Sequence, residues 1–275
     1  MHLILDLPLL LLLSVTLVQR CSTKASITET CHEIDNNIDK NYLSVSSRIE
    51  QANKNAGKSN RGFTIVDGDI AVNTGLQNAD QCTSKTCKWP RKSNGKVYVP
   101  YVLNWQYTPS EKHIIESGLK SFTNLTCIQF VPHKNEKDFI HIMPNKGCYS
   151  HVGRQGGEQR LSLKSNLCID FGVVQHELLH ALGFHHEHSR SDRDKHVKIL
   201  YENIEPEAED NFQKYVTNNL NTSYDYNSVM HYVRDAFSKN GKPTIVPIPR
   251  SDVPIGLAKE MSKNDILRVK RLYCH

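Results

Sequence analysis

The residues best equipped for chemistry lie in one run, His176-Glu177-Leu178-Leu179-His180-Ala181-Leu182-Gly183-Phe184-His185-His186. On a helix, side chains four apart share a face, so His176 and His180 can present both imidazoles to one ion. Glu177 is turned about 100° from His176, which suits a carboxylate that holds a water molecule better than one that ligates the ion. On a continued helix, His186 would point about 120° away from the ligand face. The chain must therefore turn before it. Gly183 supplies the turn, because glycine takes a left-handed conformation past a helix end without steric cost. Three neutral imidazoles, an open position and no nearby cysteine describe a catalytic zinc site and not a closed structural one. The ion would activate a water and polarise a peptide carbonyl. Glu177 would act as general base and return the proton to the leaving amine. H-E-x-x-H alone recurs on ordinary amphipathic helices; Gly183 and His186 at their spacings make this run specific.

These side chains need a helix beneath them, and Val173 to Leu182 reads as one. Upstream, Val97 to Leu103 and Phe139 to Ile142 are strand-like, and Ser110 is placed to cap a helix from Glu111 to about Phe122. Ser150 to Gly157 is a glycine-rich loop, after which Leu161 to Leu163 resumes extended structure. Residues 184–250 are rich in Pro, Asn and Asp and read as irregular, and Ser262 caps a last helix ending near Leu272. The sum is an α+β chain with a strand-rich first half and a loop-rich second half.

The N-terminal part differs in character. Leu9 to Val18 is an apolar run too short to span a bilayer. It fits the core of a signal peptide over residues 1–20, or else a buried first element. No later stretch approaches a membrane span. Residues 21–77 are polar and cannot bury much surface by themselves. They read as a pro-segment or linker, with a short helix from Ser44 to Ala56 and a turn at Gly68-Asp69. Eight cysteines with no C-x-x-C pair suggest disulfides and an oxidising compartment, with connectivity left open. Asn124 and Asn221 begin N-glycan acceptor tripeptides. The net charge of +5 is unevenly placed, with −1 in residues 21–77 and +6 after residue 77. It suits attraction to acidic extracellular protein, or is simply a solvated basic surface. No basic run interleaves with aromatics, so nucleic acid is not expected as a partner. His185, His188, His196 and His231 lie near the metal run and are assigned no ligand role. Ser189 and Ser228 adjoin histidines without a nucleophile-elbow context, which sets aside a serine hydrolase. A silent binding protein that merely keeps the scaffold would show a degenerate ligand set or no base; neither is seen.

Residues 176–194 match every fixed position of H-E-x-x-H-x-x-G-F-x-H-E-x-x-R-x-D-R-D, and Ser228-Val229-Met230-His231-Tyr232 follows as S-x-M-H-Y. In both the chain resembles the astacin family of metzincin metalloendopeptidases, and within it the short subgroup that includes fish hatching enzymes. The resemblance implies a metzincin protease domain over residues 78–275, with a cleft between a strand-rich N-terminal half carrying the active-site helix and an irregular C-terminal half. It implies one Zn2+ held by His176, His180 and His186, with Tyr232 as a weaker ligand that swings away to donate to the tetrahedral intermediate. Met230 would form a hydrophobic base beneath the ion. Glu187 would bind the buried new N-terminus after removal of residues 21–77, near Asn78-Ala79, and Arg190, Asp192, Arg193 and Asp194 would be structural. In the latent form the family's F-x-G-D motif corresponds to Val66-Asp67-Gly68-Asp69, with valine in place of phenylalanine. Asp69, and not Asp67, would then be the pro-segment's ligand to zinc, making the pro-segment its own inhibitor. The family pattern pairs Cys127 with Cys274 and Cys148 with Cys168, adds a C-x4-C at Cys82 and Cys87, and leaves Cys21 and Cys31 outside. A secreted monomer acting on extended segments of extracellular proteins, egg-envelope proteins among them, is the implied activity.

Overall fold

β-branched and aromatic residues crowd the first half of the chain, and there they build a mixed sheet. The computed structural model describes residues 43–54, 56, 59, 60, 62–73 and 87–275, all within one unit, Leu43–His275. The expected signal peptide, Cys21, Cys31, Gln77 to Ala79 and Cys82 lie outside the described residues. The strands are β1 (Ser59–Asn60), β2 (Phe63–Val66), β3 (Ile70–Asn73), β4 (Val97–Leu103), β5 (Ile128–Pro132), β6 (Phe139–Met143), β7 (Cys148–Ser150) and β8 (Glu158–Leu163). Their order is β1-β2-β3-β7-β8-β6-β4-β5. Strand β4 is parallel to β5 and β6, and β6 to β8, whereas β7 runs antiparallel to β8. The β2–β3 hairpin joins the edge at β7 through the parallel pair Ile70↔Ser150.

Two helices cover the sheet: α2 (Pro109–Leu125) and α3 (Phe171–Ala181). Val97, Val99, Ile140, Ile142, Leu161 and Leu163 from the strands share a core with Ile115, Leu119, Phe122, Val174 and Leu178 from the helices. Gly118 lets the helices touch, since a Cβ there would lie 2.5 Å from Val174 Cγ1. Helix α2 starts earlier than expected: its cap is Thr108, not Ser110. Thr108 and Glu111 form a reciprocal capping box, and Pro109 takes the first helical position, where its missing N–H costs nothing. Strand β5 was not anticipated from the sequence.

Helix α1 (Val45–Asn53) is capped by Ser44 and buries Val45, Ile49 and Ala52, one stripe at helical spacing, in the same core. It ends three residues before Ala56, the end expected from the sequence. The polar segment thus buries surface by borrowing the apolar face of its neighbours. In the second half, 3-10 turns alternate with the short antiparallel pair β9 (Val197–Ile199) and β10 (Ile245–Pro247), close to the irregular chain expected there. A second core of Ile204, Phe212, Tyr224, Tyr232 and Ile245 underlies them. Ser262 caps α4 (Lys263–Tyr273), as expected. Cys127 is bonded to Cys274, and Cys148 to Cys168, both as the family pattern implies.

Candidate active site

Helix α3 is the floor of the site. Asp170 caps it by accepting from the Gly172 and Val173 amides at 3.0 and 3.3 Å, and every residue from Gly172 to Ala181 is buried. Its far end closes as a Schellman turn: the Phe184 amide donates to Leu179 O at 3.0 Å and the Gly183 amide to His180 O at 2.8 Å. Gly183 has φ +100°, where a side chain would be strained. The chain reverses there, which brings His186 back to the ring edges of His176 and His180.

Four side chains converge at this point: Asp69, His176, His180 and His186, all buried, with their ligating atoms within 4.8 Å of one another. His176 Nε2 lies 3.1 Å from Asp69 Oδ2 and 3.1 Å from His180 Nε2, while His180 Nε2 and His186 Nε2 lie 3.3 and 3.1 Å from Asp69 Oδ1. The second ring nitrogens explain the first. His176 Nδ1 donates to Val229 O at 2.9 Å and His180 Nδ1 to Phe184 O at 2.7 Å. In those neutral tautomers both Nε2 atoms carry lone pairs, and they face each other with no proton between them. His186 Nε2 and Asp69 Oδ1 likewise have no hydrogen-bond partner among the described residues. A cation resolves this arrangement. Donors about 2.0–2.1 Å from a common tetrahedral centre are separated by about 3.3 Å, close to the 3.1–3.3 Å separations given above. The donor set of three imidazoles and a carboxylate fits a divalent ion.

The electrostatics agree. Burial pushes the His180 imidazole below its ordinary value and His186 down to about 4, which keeps both neutral as ligands must be. Burial alone would raise Asp69, but the imidazoles of His186, His180 and His176 hold its carboxyl well below the ordinary range. Glu177 is fully buried, with no hydrogen-bond partner on either oxygen among the described residues. Burial first, and the Asp69 charge second, push its carboxyl well above the usual range.

Asp69 reaches the site from the turn between β2 and β3, where Asp67 and Gly68 both have positive φ, of 49° and 81°. Its backbone carbonyl accepts from the Ser150 amide at 3.0 Å. Asp67 points elsewhere: its carboxyl accepts from the Tyr215 hydroxyl, and burial pushes it up to about 7. Val66 stands where the family has phenylalanine, and the hairpin's buried aromatic is instead Phe63, 5.2 Å from the Tyr149 ring. The Tyr232 ring packs 4.6 Å from His186, and its hydroxyl donates to Asp67 O at 2.5 Å. In this state, therefore, the backbone of the β2–β3 turn holds the Tyr232 hydroxyl. His188 and His231 are buried but bond to Asn211 O and Tyr224, and His185 stacks on Tyr215. His196 stacks on Tyr224.

Two residues that the sequence did not reveal hold the site from behind. Asp265 of α4 accepts from Ser228 Oγ at 2.7 Å and from the Val229 amide at 2.9 Å, fixing the turn whose carbonyl orients His176. Arg268, one turn on, donates to both Glu187 oxygens at 2.6 and 2.8 Å. Glu187, the expected acceptor of a new N-terminus, is here held by that guanidinium. The only advance signal was Asp265 at the third position after Ser262, and it marks a helix cap as readily.

A family profile described as Astacin, a family of peptidases, matches residues 81–274. The chain is similar to high choriolytic enzyme 1 of Oryzias latipes, 46% identical over 233 residues that cover 84% of each chain. It is 44% identical to the low choriolytic enzyme of the same fish over 268 residues, covering 94% of this chain and 97% of the other. Among solved structures, high choriolytic enzyme 1, a hatching enzyme zinc-protease from medaka, matches with TM-score 0.69 and 50% identity over 72% of this chain and 100% of that one. The α+β arrangement described above is the fold of that protein.

Proposed function

From its membership of the astacin peptidase family, to which this chain belongs and which makes it a metalloendopeptidase, we propose a secreted zinc endopeptidase made as a zymogen. Residues 1–20 are its signal peptide, residues 21–77 its pro-segment and residues 78–275 its catalytic domain. The observation that carries this reading is the buried group of His176, His180, His186 and Asp69, whose lone pairs converge with no proton to share.

His176, His180 and His186 would hold one Zn2+, with Tyr232 a further, displaceable ligand. Asp69 would be a further ligand in the latent chain and would leave with the pro-segment. Bound zinc supplies Lewis acidity, which polarises the scissile carbonyl and acidifies a water. Glu177 takes the proton of the attacking water and hands it to the leaving amine. Release of Asp69 removes the like charge that helps keep Glu177 protonated. Release of the Asp67 carbonyl frees the Tyr232 hydroxyl to donate to the oxyanion. Edge strand β7 can pair with an extended substrate once the hairpin is gone.

Two disulfides support export, and no helix among the described residues is long and apolar enough to cross a membrane. Asn124 and Asn221 are exposed and can carry glycans. We assign the substrates to extracellular proteins, egg-envelope proteins in particular, because two relatives bear the name choriolytic. The active form is taken as a monomer. The test is casein-type cleavage by the processed protein with zinc present. Glu177→Gln should lower kcat by about 10²–10⁴-fold with zinc content unchanged. Full activity in Glu177→Gln, or none in the processed parent, contradicts the reading.

A further inference from the structure

Helix α1 carries a second stripe beside its apolar one. Ser46, Glu50 and Asn53 stand at helical spacing on one face, and each reaches backbone of the catalytic half. Ser46 Oγ accepts from the Val233 amide at 3.2 Å, and Glu50 Oε1 from the Phe237 amide at 3.1 Å. Asn53 does more. Its Nδ2 donates to Cys148 O and to Gly68 O, both at 2.7 Å, and its Oδ1 accepts from the Cys148 amide at 2.8 Å. One carboxamide thus pairs with both backbone groups of a β7 residue, as the peptide group of an added strand would. The same nitrogen holds Gly68, the residue before Asp69. The enzyme side is shaped for the contact. A Cβ on Gly147 would lie 2.2 Å from Asn53 Oδ1.

We propose that Asn53 is a positioning residue for latency. Its side chain stands in for a substrate peptide group on β7 and locks the Asp69 turn, making α1 an anchor of the pro-segment that does not depend on Asp69's contact with the imidazoles. This rests on the zymogen reading above. The geometry accounts for asparagine in particular. Aspartate would set a carboxylate against two carbonyl oxygens, glutamine would carry its amide one carbon too far, and alanine would leave the Cys148 amide and both carbonyls unpaired.

The test uses the full-length chain. Hydrogen exchange is followed by mass spectrometry over residues 45–53, without metal, in the parent and in Asn53→Ala, Asn53→Asp and Asp69→Ala. Both Asn53 variants should exchange there about tenfold faster or more, and Asp69→Ala should stay near the parent. Unchanged exchange in the Asn53 variants overturns the proposal. So does a parent-like Asn53→Asp beside a fast Asn53→Ala, which would leave only space filling. An Asp69→Ala as fast as Asn53→Ala overturns the independence of the anchor. With zinc restored, the unprocessed Asn53 variants should cleave casein about tenfold faster than the unprocessed parent, and unprocessed variants as silent as the parent overturn the proposal. The processed enzymes should be indistinguishable, because residue 53 has left them. A silent processed parent contradicts the peptidase reading itself, while the exchange result still decides the anchor.

Discussion

His176 and His180 each give one ring nitrogen to a backbone carbonyl, and this fixes which nitrogen is left for the ion. The carbonyl that orients His180 belongs to Phe184, one residue past Gly183, so the glycine both turns the chain toward His186 and sets a tautomer. Gly183→Ala puts a Cβ at φ +100°; it should cost about 1–2 kcal/mol of stability and weaken zinc binding together, measured by thermal melting and by competition with a chelator. A stability loss with unchanged zinc affinity would separate the turn from the tautomer. The convergence of the three histidines was legible because their spacing is local to one helix and one turn. Asn53, 95 residues from Cys148, was not, because an asparagine near a helix end reads as a cap or as solvated surface.

At the level of elements, α4 braces the site from behind. Asp265 and Arg268, one turn apart, reach the Ser228-Val229 turn and Glu187 respectively. Arg268→Ala would strand the buried Glu187 carboxylate, whose remaining partners are the Asp225 amide at 2.7 Å and Arg190 at 3.4 Å. It should lower unfolding stability by about 3–5 kcal/mol, read by denaturant titration; a change near zero would mean that Arg190 and the Asp225 amide suffice. The helices are visible in the sequence from apolar periodicity, but their starts are less so. Ser110 offers a cap as readily as Thr108 until Pro109 takes the first helical position. Helix α3, capped by Asp170, begins at Phe171, two residues before the start expected at Val173. Strand β5 was hidden for another reason: it is five residues long, and its pairing with β4, not its own alternation, makes it a strand.

At the scale of the molecule, a segment too polar to fold alone completes a structure built by the rest. Its hairpin extends the sheet at β7, its helix joins the main core, and its aspartate closes the metal group. The sequence indicated the segment's polarity and its Asp69 turn, but not the surface that receives it, which forms only once residues far apart along the chain meet. The proposed function rests on a cation where the three imidazoles meet. X-ray absorption at the zinc edge of the zinc-loaded full-length chain tests that most directly. The account predicts a shell of nitrogen and oxygen at about 2.0–2.1 Å with the multiple scattering of three imidazoles and no sulfur. A sulfur shell near about 2.3 Å, or the signature of fewer than three imidazoles, would contradict it.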